Sequence, residues 1–355
     1  MIKLDYDEVE AIIFEWIEKS TCPMAGDAGA SQHWDWDPAI SDCIWFPNKR
    51  GPRPLGPRLI RHAFHDATGI SDGFVDLTDP ENAGLESSDH VLNLIYSNTT
   101  FTLTDSGKIS EVLNKADFAA WSYIAALRFA ASLQNGQGGG GVPILPDIPI
   151  TIGRSALDGT PPIENQPGGH SNGMDVVTYF SEVFNFNEKE AATIMGAHSL
   201  GGAEPTESGH LGPWTGRRDV FDNEYYRNII NAPPGAPPGV TPNGQGPPQS
   251  RQGTPSMWEV TEIVSARGRM FQWSHSCNAD GTGCIQLMLH ADMALFKDID
   301  AFICTKDDAA TGMSGCETNG QVRQRIIRMR RNYNDLGAPL TPLLCVLTRI
   351  DLGVS

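Results

Sequence analysis

The sequence predicts a mainly α fold with little β-structure, and three observations carry that expectation. Val9, Ile12, Ile13, Trp16 and Ile17 recur at helical spacing near the start of the chain. Residues 116–133 form a stretch of mostly apolar side chains, too long for an ordinary strand and read as a central helix. Alternating strand patterns are few, and no internal repeat is visible.

The first helix is amphipathic, so one face is expected to bury. A loop rich in Trp, Asp and Pro follows, through Pro57. Proline suits the first turn of a helix, because its missing N–H has no partner there in any case. A helix is therefore expected from Pro57 over 58–68. Gly and Pro break the chain again over 136–149. A helix is expected at 174–184. Asn187 with Glu190 three residues on reads as a capping box, opening a helix to about Leu200. Residues 232–255, APPGAPPGVTPNGQGPPQSRQGTP, are too polar and too broken to pack, and read as a surface insertion. Two more helices are expected at about 286–296 and 321–333.

Composition narrows the function. A chain of 355 residues, 40% hydrophobic and 19% charged, can bury a full core as one large domain or two. A formal charge of -17 argues against nucleic acid, whose phosphates need Lys and Arg. It also disfavours anionic membranes, and no stretch reaches the roughly eighteen apolar residues of a spanning helix. A small neutral or cationic substrate fits better, although an acidic surface also serves solubility. The seven cysteines show no Cys-x-x-Cys spacing. Four fall between Cys277 and Cys316, which suggests disulfides and an oxidising compartment. Scattered buried thiols are the other reading. Asn98-Thr99-Thr100 is a glycosylation sequon. The first residues lack the basic-then-apolar pattern of a signal peptide, so the chain reads as cytosolic or as beginning at a mature end.

Two segments carry chemistry. In Arg61-His62-Ala63-Phe64-His65-Asp66, Arg61 and His65 stand four apart and share a helix face, with Phe64 beside them. His65 can accept and return a proton, and Arg61 can stabilise charge developing on an oxygen. Taken alone, such a pair is common on solvated helices. In Gly196-Ala197-His198-Ser199-Leu200-Gly201-Gly202, a single His stands among small and apolar residues that let a flat macrocycle approach closely. Iron can be held by one such His. A ligating His gives its other N–H to an acceptor. Asp292, inside the apolar run Leu289-His290-Ala291-Asp292-Met293, is a candidate, since a buried carboxylate needs a partner.

Arg-x-x-Phe-His-Asp followed by Gly-Ala-His-Ser-Leu-Gly resembles the two haem signatures of the plant, fungal and bacterial (non-animal) haem peroxidase superfamily. The resemblance continues in Glu81-Asn82-Ala83-Gly84-Leu85, Gly153-Arg154, Gly212-Pro213-Trp214-Thr215, Phe221-Asp222-Asn223 and the Asp292 segment. It implies one haem peroxidase domain of about ten helices in two halves, about 1–165 and 166–355, with haem b between them. It implies that His65 takes a proton from hydrogen peroxide and delivers it to the leaving oxygen, that Arg61 stabilises the breaking bond, and that Asn82 orients His65. His198 would hold the iron, made more electron-donating by Asp292. The expected reductants are small phenols or aromatic amines, and the expected protein is a monomer.

The resemblance mixes two branches. Phe64 beside the distal His is as in the secreted fungal and plant enzymes, whereas Trp214 resembles the proximal Trp of ascorbate and cytochrome c peroxidases. Secretion is expected on the strength of the first. The Arg that binds ascorbate would align with Glu207, the manganese-binding glutamates with Pro54 and Arg58, and the ligninolytic surface Trp with Thr193. Ascorbate is expected to bind poorly beside Glu207, a hard cation cannot use Pro54 and Arg58, and Thr193 cannot serve as the radical site. Structural Ca2+ or K+ sites would use Asp66 and Asp72 on the distal side, with Phe74 where a Ser is expected. On the proximal side they would use Ser199, Thr215, Val220 and Asp222, with Arg217 where an oxygen ligand is expected. Cys304 and Cys345 resemble a C-terminal disulfide of the fungal enzymes. Other readings are a haem-binding or matrix protein that keeps the fold without turnover, and a peroxidase that cross-links tyrosines of macromolecules.

Overall fold

Apolar residues repeating every three to four positions do bury one face of the first helix, α1 (Tyr6–Ser20): Val9, Ile13 and Ile17 are in the core. The computed structural model describes residues 6–20, 34–37, 42–45, 55–68, 71–98, 107–133, 152–154, 166–222, 224–231, 259–276 and 285–294. The chain divides into two units, Met1–Glu164 with Asp219–Phe221 and Leu347–Ser355, and Asn165–Arg218 with Asp222–Val346.

The first unit holds the strands β1 (Trp34–Asp37) and β2 (Asp42–Trp45), then α2 (Leu55–Ala67), α3 (Glu86–Asn98), α4 (Ile109–Val112) and α5 (Lys115–Ser132). The long apolar α5 is its centre. Phe118, Trp121, Ala125 and Ala126 pack with Val9, Ile13 and Ile17 of α1 and with Leu59 and Ala63 of α2. A helix apolar on nearly every side has to be central, because any exposed side would leave apolar area in water. Asn114 caps it by accepting from the Asp117 amide at 2.8 Å. Asp117, buried, accepts in turn from the amides of Gly153 and Arg154 and from the Arg154 guanidinium. That carboxylate explains why Gly153-Arg154 sits against α5.

The second unit holds α6 (Gly173–Phe184), α7 (Glu188–Met195), β3 (Gly202–Ala203), β4 (Gly212–Pro213), α8 (Glu224–Asn231), β5 (Glu259–Ser265), β6 (Gly268–Ser276), β7 (Ile285–Met288) and α9 (His290–Ala294). The capping box at Asn187 is present: its side chain accepts from Lys189 and Glu190 amides, and the Glu190 carboxylate accepts from the Asn187 amide. After Met195 the chain tightens into a 3-10 turn, Gly196–Ser199. β3 and β4 pair antiparallel, and β5-β6-β7 form an antiparallel sheet.

Among the described residues nine α-helices outweigh seven short strands, so the protein is mainly α, in keeping with a haem-peroxidase fold. Three local expectations need correction. The segment before Pro57 contains the β1–β2 hairpin, and α2 begins at Leu55, two residues before the Pro. The helix expected at 286–296 is a strand over Ile285–Met288, followed by a helix at His290–Ala294. The three-stranded sheet itself was not expected. Its inward positions in β6 are Gln272 and Ser274, both buried, while Phe271 and Trp273 are only half-buried. Hydrophobic alternation is therefore reversed, and pairing with neighbouring strands decides the conformation. The expected helix at 321–333, the breaks at 136–149 and 232–255, Pro54, and every cysteine but Cys43 lie outside the described residues. Among the described residues no helix is long and apolar enough to cross a membrane.

Candidate functional site

In the first unit, α2 carries Arg61, Phe64 and His65, and a 3-10 turn over Pro80–Asn82 carries Asn82. Asp79 caps the turn by accepting from the Glu81 amide at 2.7 Å. The Asn82 amide nitrogen donates to the Asp76 carbonyl at 2.9 Å, which fixes its oxygen toward His65. His65 Nδ1–H donates to Asn82 Oδ1 at 2.7 Å. With the proton on Nδ1, the lone pair is on Nε2, as a proton acceptor requires. Burial pushes the His65 imidazole down to about 3, helped by the Arg61 charge and opposed by the bond to Asn82. Phe64 meets His65 edge-on at 5.9 Å. Arg61 donates to the carbonyls of Ala83 and Glu81, at 2.9 and 3.1 Å, so its guanidinium is anchored to the turn that holds Asn82.

In the second unit, His198 comes from the 3-10 turn and Asp292 from α9. His198 Nδ1–H donates to Asp292 Oδ1 at 2.8 Å. The carboxylate is fully buried and the imidazole about a third exposed. Its Nε2 is thereby left for a metal, with Nδ1 committed to an anionic acceptor. Trp214 lies flat against the imidazole, with ring centroids 4.1 Å apart and planes within 9°. The Leu289 amide donates to Asp292 Oδ2 at 2.7 Å, and Tyr225 Oη donates to Oδ1 at 2.8 Å. Gly201 N–H bonds to Arg218 O, and the β3–β4 pair ties the His198 turn to the strand before Trp214.

Taken unit by unit, the residues have the chemistry haem b would need: in the second unit His198 with its buried carboxylate suits an iron ligand, and in the first the imidazole, guanidinium and amide suit acid–base work on peroxide. The candidate cation ligands are less well assembled. Asp66 is buried, and both its oxygens accept from the Gly73 amide, with Tyr123 Oη at 3.3 Å. Burial pushes its carboxyl up to about 7, with Asp72 adding to the effect. Asp72 Oδ1 accepts from the Phe74 amide, and the Phe74 ring lies under the Lys115 ammonium. Thr215 donates to the Ser199 carbonyl at 2.8 Å, and Asp222 accepts from the Glu224 amide. Val220 belongs to the first unit, whereas Ser199, Thr215 and Asp222 belong to the second. Among the described residues no group of three or more His, Cys, Asp or Glu is poised to hold a metal ion.

Two residues packed around these side chains carry no signal in the sequence. Tyr225 lies beside the Phe221-Asp222-Asn223 segment and carries no motif of its own. Gln272 is fully buried and clamps Leu211, accepting from its amide and donating to its carbonyl, each at 2.8 Å. It fixes the chain three residues before Trp214. A Gln in a strand leaves no sequence signal for such a task. Thr193, at the position aligned with the ligninolytic surface Trp, is buried and donates back to the Lys189 carbonyl, and Glu207 is half-buried.

No family model matches the chain. Among curated proteins it is 30% identical over 193 residues to a mitochondrial cytochrome c peroxidase of Candida glabrata, covering 50% of this chain and 46% of that protein. It is 29% identical over 242 residues to a mitochondrial cytochrome c peroxidase of Aspergillus fumigatus, 59% of each chain. It is 27% identical over 86 residues to the cytosolic L-ascorbate peroxidase 2 of rice, 24% of this chain and 34% of that one. The chain spans about half the length of the curated relatives it matches. The relatives are consistent with the non-animal haem peroxidase superfamily that the signatures resemble, at low identity. Their names place them in mitochondria and cytosol, which points away from the expected secretion, and they lend no support to calcium or disulfides.

Proposed function

We propose that this chain is a hydrogen-peroxide-dependent haem peroxidase that oxidises small phenolic or aromatic donors. Haem, when bound, supplies a redox-active iron that takes the oxidising equivalents of peroxide and passes them to a donor one electron at a time. His198 Nε2 would hold that iron, with Asp292 fixing the ring's orientation through Nδ1. His65 Nε2 takes the proton of peroxide and returns it to the departing oxygen, and Asn82 keeps the required tautomer. Arg61, swinging from its two carbonyl partners, stabilises the negative charge that develops as the O–O bond breaks. The observation that carries this reading is the pair of histidines at the matched positions. Each commits Nδ1 to an oxygen acceptor, a neutral amide for His65 and a carboxylate for His198. The first arrangement suits a base, the second an electron-rich ligand.

The choice of donor rests on the half-buried carboxylate of Glu207, at the position where an ascorbate-binding guanidinium is wanted, in a chain of charge -17. Phenols need only access to the haem edge. A second reading is a basic electron-carrier protein as donor. It is favoured by the acidic charge, by the face-to-face stack of Trp214 on His198, and by relatives named cytochrome c peroxidase. The test is reconstitution with haem followed by steady-state turnover with guaiacol, ascorbate and ferrocytochrome c at equal peroxide. Guaiacol should be fastest. Ferrocytochrome c ahead of guaiacol would select the second reading, and no turnover of any donor by a haem-loaded protein would overturn both. His198→Ala should lose tight haem binding, and an unchanged Soret titration would remove the ligand assignment.

A further inference from the structure

Asp292 has more hydrogen-bond donors than a simple His–Asp pair needs. Its Oδ1 accepts from His198 Nδ1 at 2.8 Å and from Tyr225 Oη at 2.8 Å, and its Oδ2 accepts from the Leu289 amide at 2.7 Å. Both Asp292 and Tyr225 are fully buried. Trp214, among the described residues, meets His198 through its ring face only and makes no hydrogen bond to the carboxylate. Tyr225 also stands edge-on to the His198 ring, centroids 6.1 Å apart at 78°. Its neighbour Tyr226 anchors α8 to α7, donating to the carbonyls of Ala192 and Thr193 at 3.0 and 2.9 Å. The phenol of Tyr225 is thus held on the one oxygen that His198 uses.

We infer that Tyr225 is a positioning residue that sets the redox poise of the iron held by His198, by competing with His198 for Asp292 Oδ1. The inference rests on the haem reading above and deepens it. Hydrogen bonds to a carboxylate are charge-assisted and strong, and in a buried network each alters its neighbours. A phenol O–H on Oδ1 draws density from that oxygen, so it pulls less on the His198 Nδ1 proton. The imidazole then donates less to a metal at Nε2, and the ferric state is stabilised less. The hydrogen bonding of an axial ligand is one of the protein's levers on iron potential. Asp292 therefore strengthens His198 as a donor, and Tyr225 tempers it.

Tyr225→Phe keeps the ring and removes only the hydroxyl. In the haem-loaded full chain it should shift the ferric–ferrous equilibrium roughly tenfold toward ferric, a midpoint about 59 mV lower for one electron. The iron–histidine stretching frequency of the ferrous protein should rise with it. Tyr226→Phe is the control for mere loosening of α8: its thermal midpoint should fall while its potential stays at the parent value. An unchanged or higher potential in Tyr225→Phe overturns the inference, as does an equal shift in Tyr226→Phe. Haem binding by the parent is measured first and separately. If His198→Ala binds haem as the parent does, the functional reading fails. If His198 is required and Tyr225→Phe matches the parent, this inference alone fails.

Discussion

In the proposed reaction, the acid–base work of the first unit falls to His65. Its imidazole is held down to about 3 by burial and by Arg61, so the proton-accepting form dominates at all pH above that value. The first spectral change after mixing haem-loaded protein with peroxide should therefore keep one rate from about pH 5 to about pH 8. An ordinary histidine, near 6.5, would lose about tenfold by pH 5.5. Stopped-flow rates across this range decide the matter, and a break near 6.5 would mean that His65 is solvated in the working protein. His65→Ala should slow the same step by roughly a hundred- to ten-thousand-fold while haem stays bound. A parent-like rate in that variant would place the base elsewhere.

At the scale of elements, the position of His198 depends on how α7 begins and how its following turn is tied down. Asn187→Ala removes the acceptor of two amides at the N-terminus of α7. The loss should be about 1 kcal/mol in urea unfolding, within a range of roughly 0.5–2. Gly202 is a different case. A Cβ there would meet the Gly212 carbonyl oxygen at 2.6 Å and Pro213 Cα at 2.8 Å, both backbone atoms. They cannot swing aside, so Gly202→Ala must open the β3–β4 pair beside Trp214. A destabilisation of about 1–3 kcal/mol is expected, the usual cost of overpacking. A Gly202→Ala protein with parental stability would mean that the two strands separate freely.

For the whole molecule, buried histidines make acid the weak side. His62 donates from Nδ1 to Ser88 and stacks on Tyr123, and burial holds its imidazole down to about 3. Its unfolded value is near 6.5. Below that the unfolded chain binds the proton and the folded one does not, so stability falls as pH drops from about 6.5 toward 3. Asp66, pushed up to about 7, acts oppositely: its contribution is present below its unfolded value and lost as pH rises through 7. Comparing parent with His62→Gln at each pH cancels the Asp66 part. Between about pH 6 and 4 the parent should lose roughly 1.4 kcal/mol more per pH unit than the variant. Parallel curves would show that His62 takes up its proton in the folded protein.

The sequence by itself determined the helical class, the amphipathic α1, the central α5 and the cap of α7, because each depends on spacing or composition within one segment. It also singled out Arg61, His65, Asn82, His198 and Asp292 as candidates for the chemistry, because their order along the chain resembles one family's signatures. What it could not read was anything set by partners distant along the chain. The strand at Ile285–Met288 forms because β6 offers it an edge, and Gln272 is buried because the Leu211 backbone needs a donor and an acceptor. Tyr225 looks like any aromatic of a short helix until folding sets its hydroxyl on Asp292, 67 residues away. Local periodicity reports a segment's own preference, while a shared oxygen between two buried donors exists only once tertiary structure has brought three segments to one point.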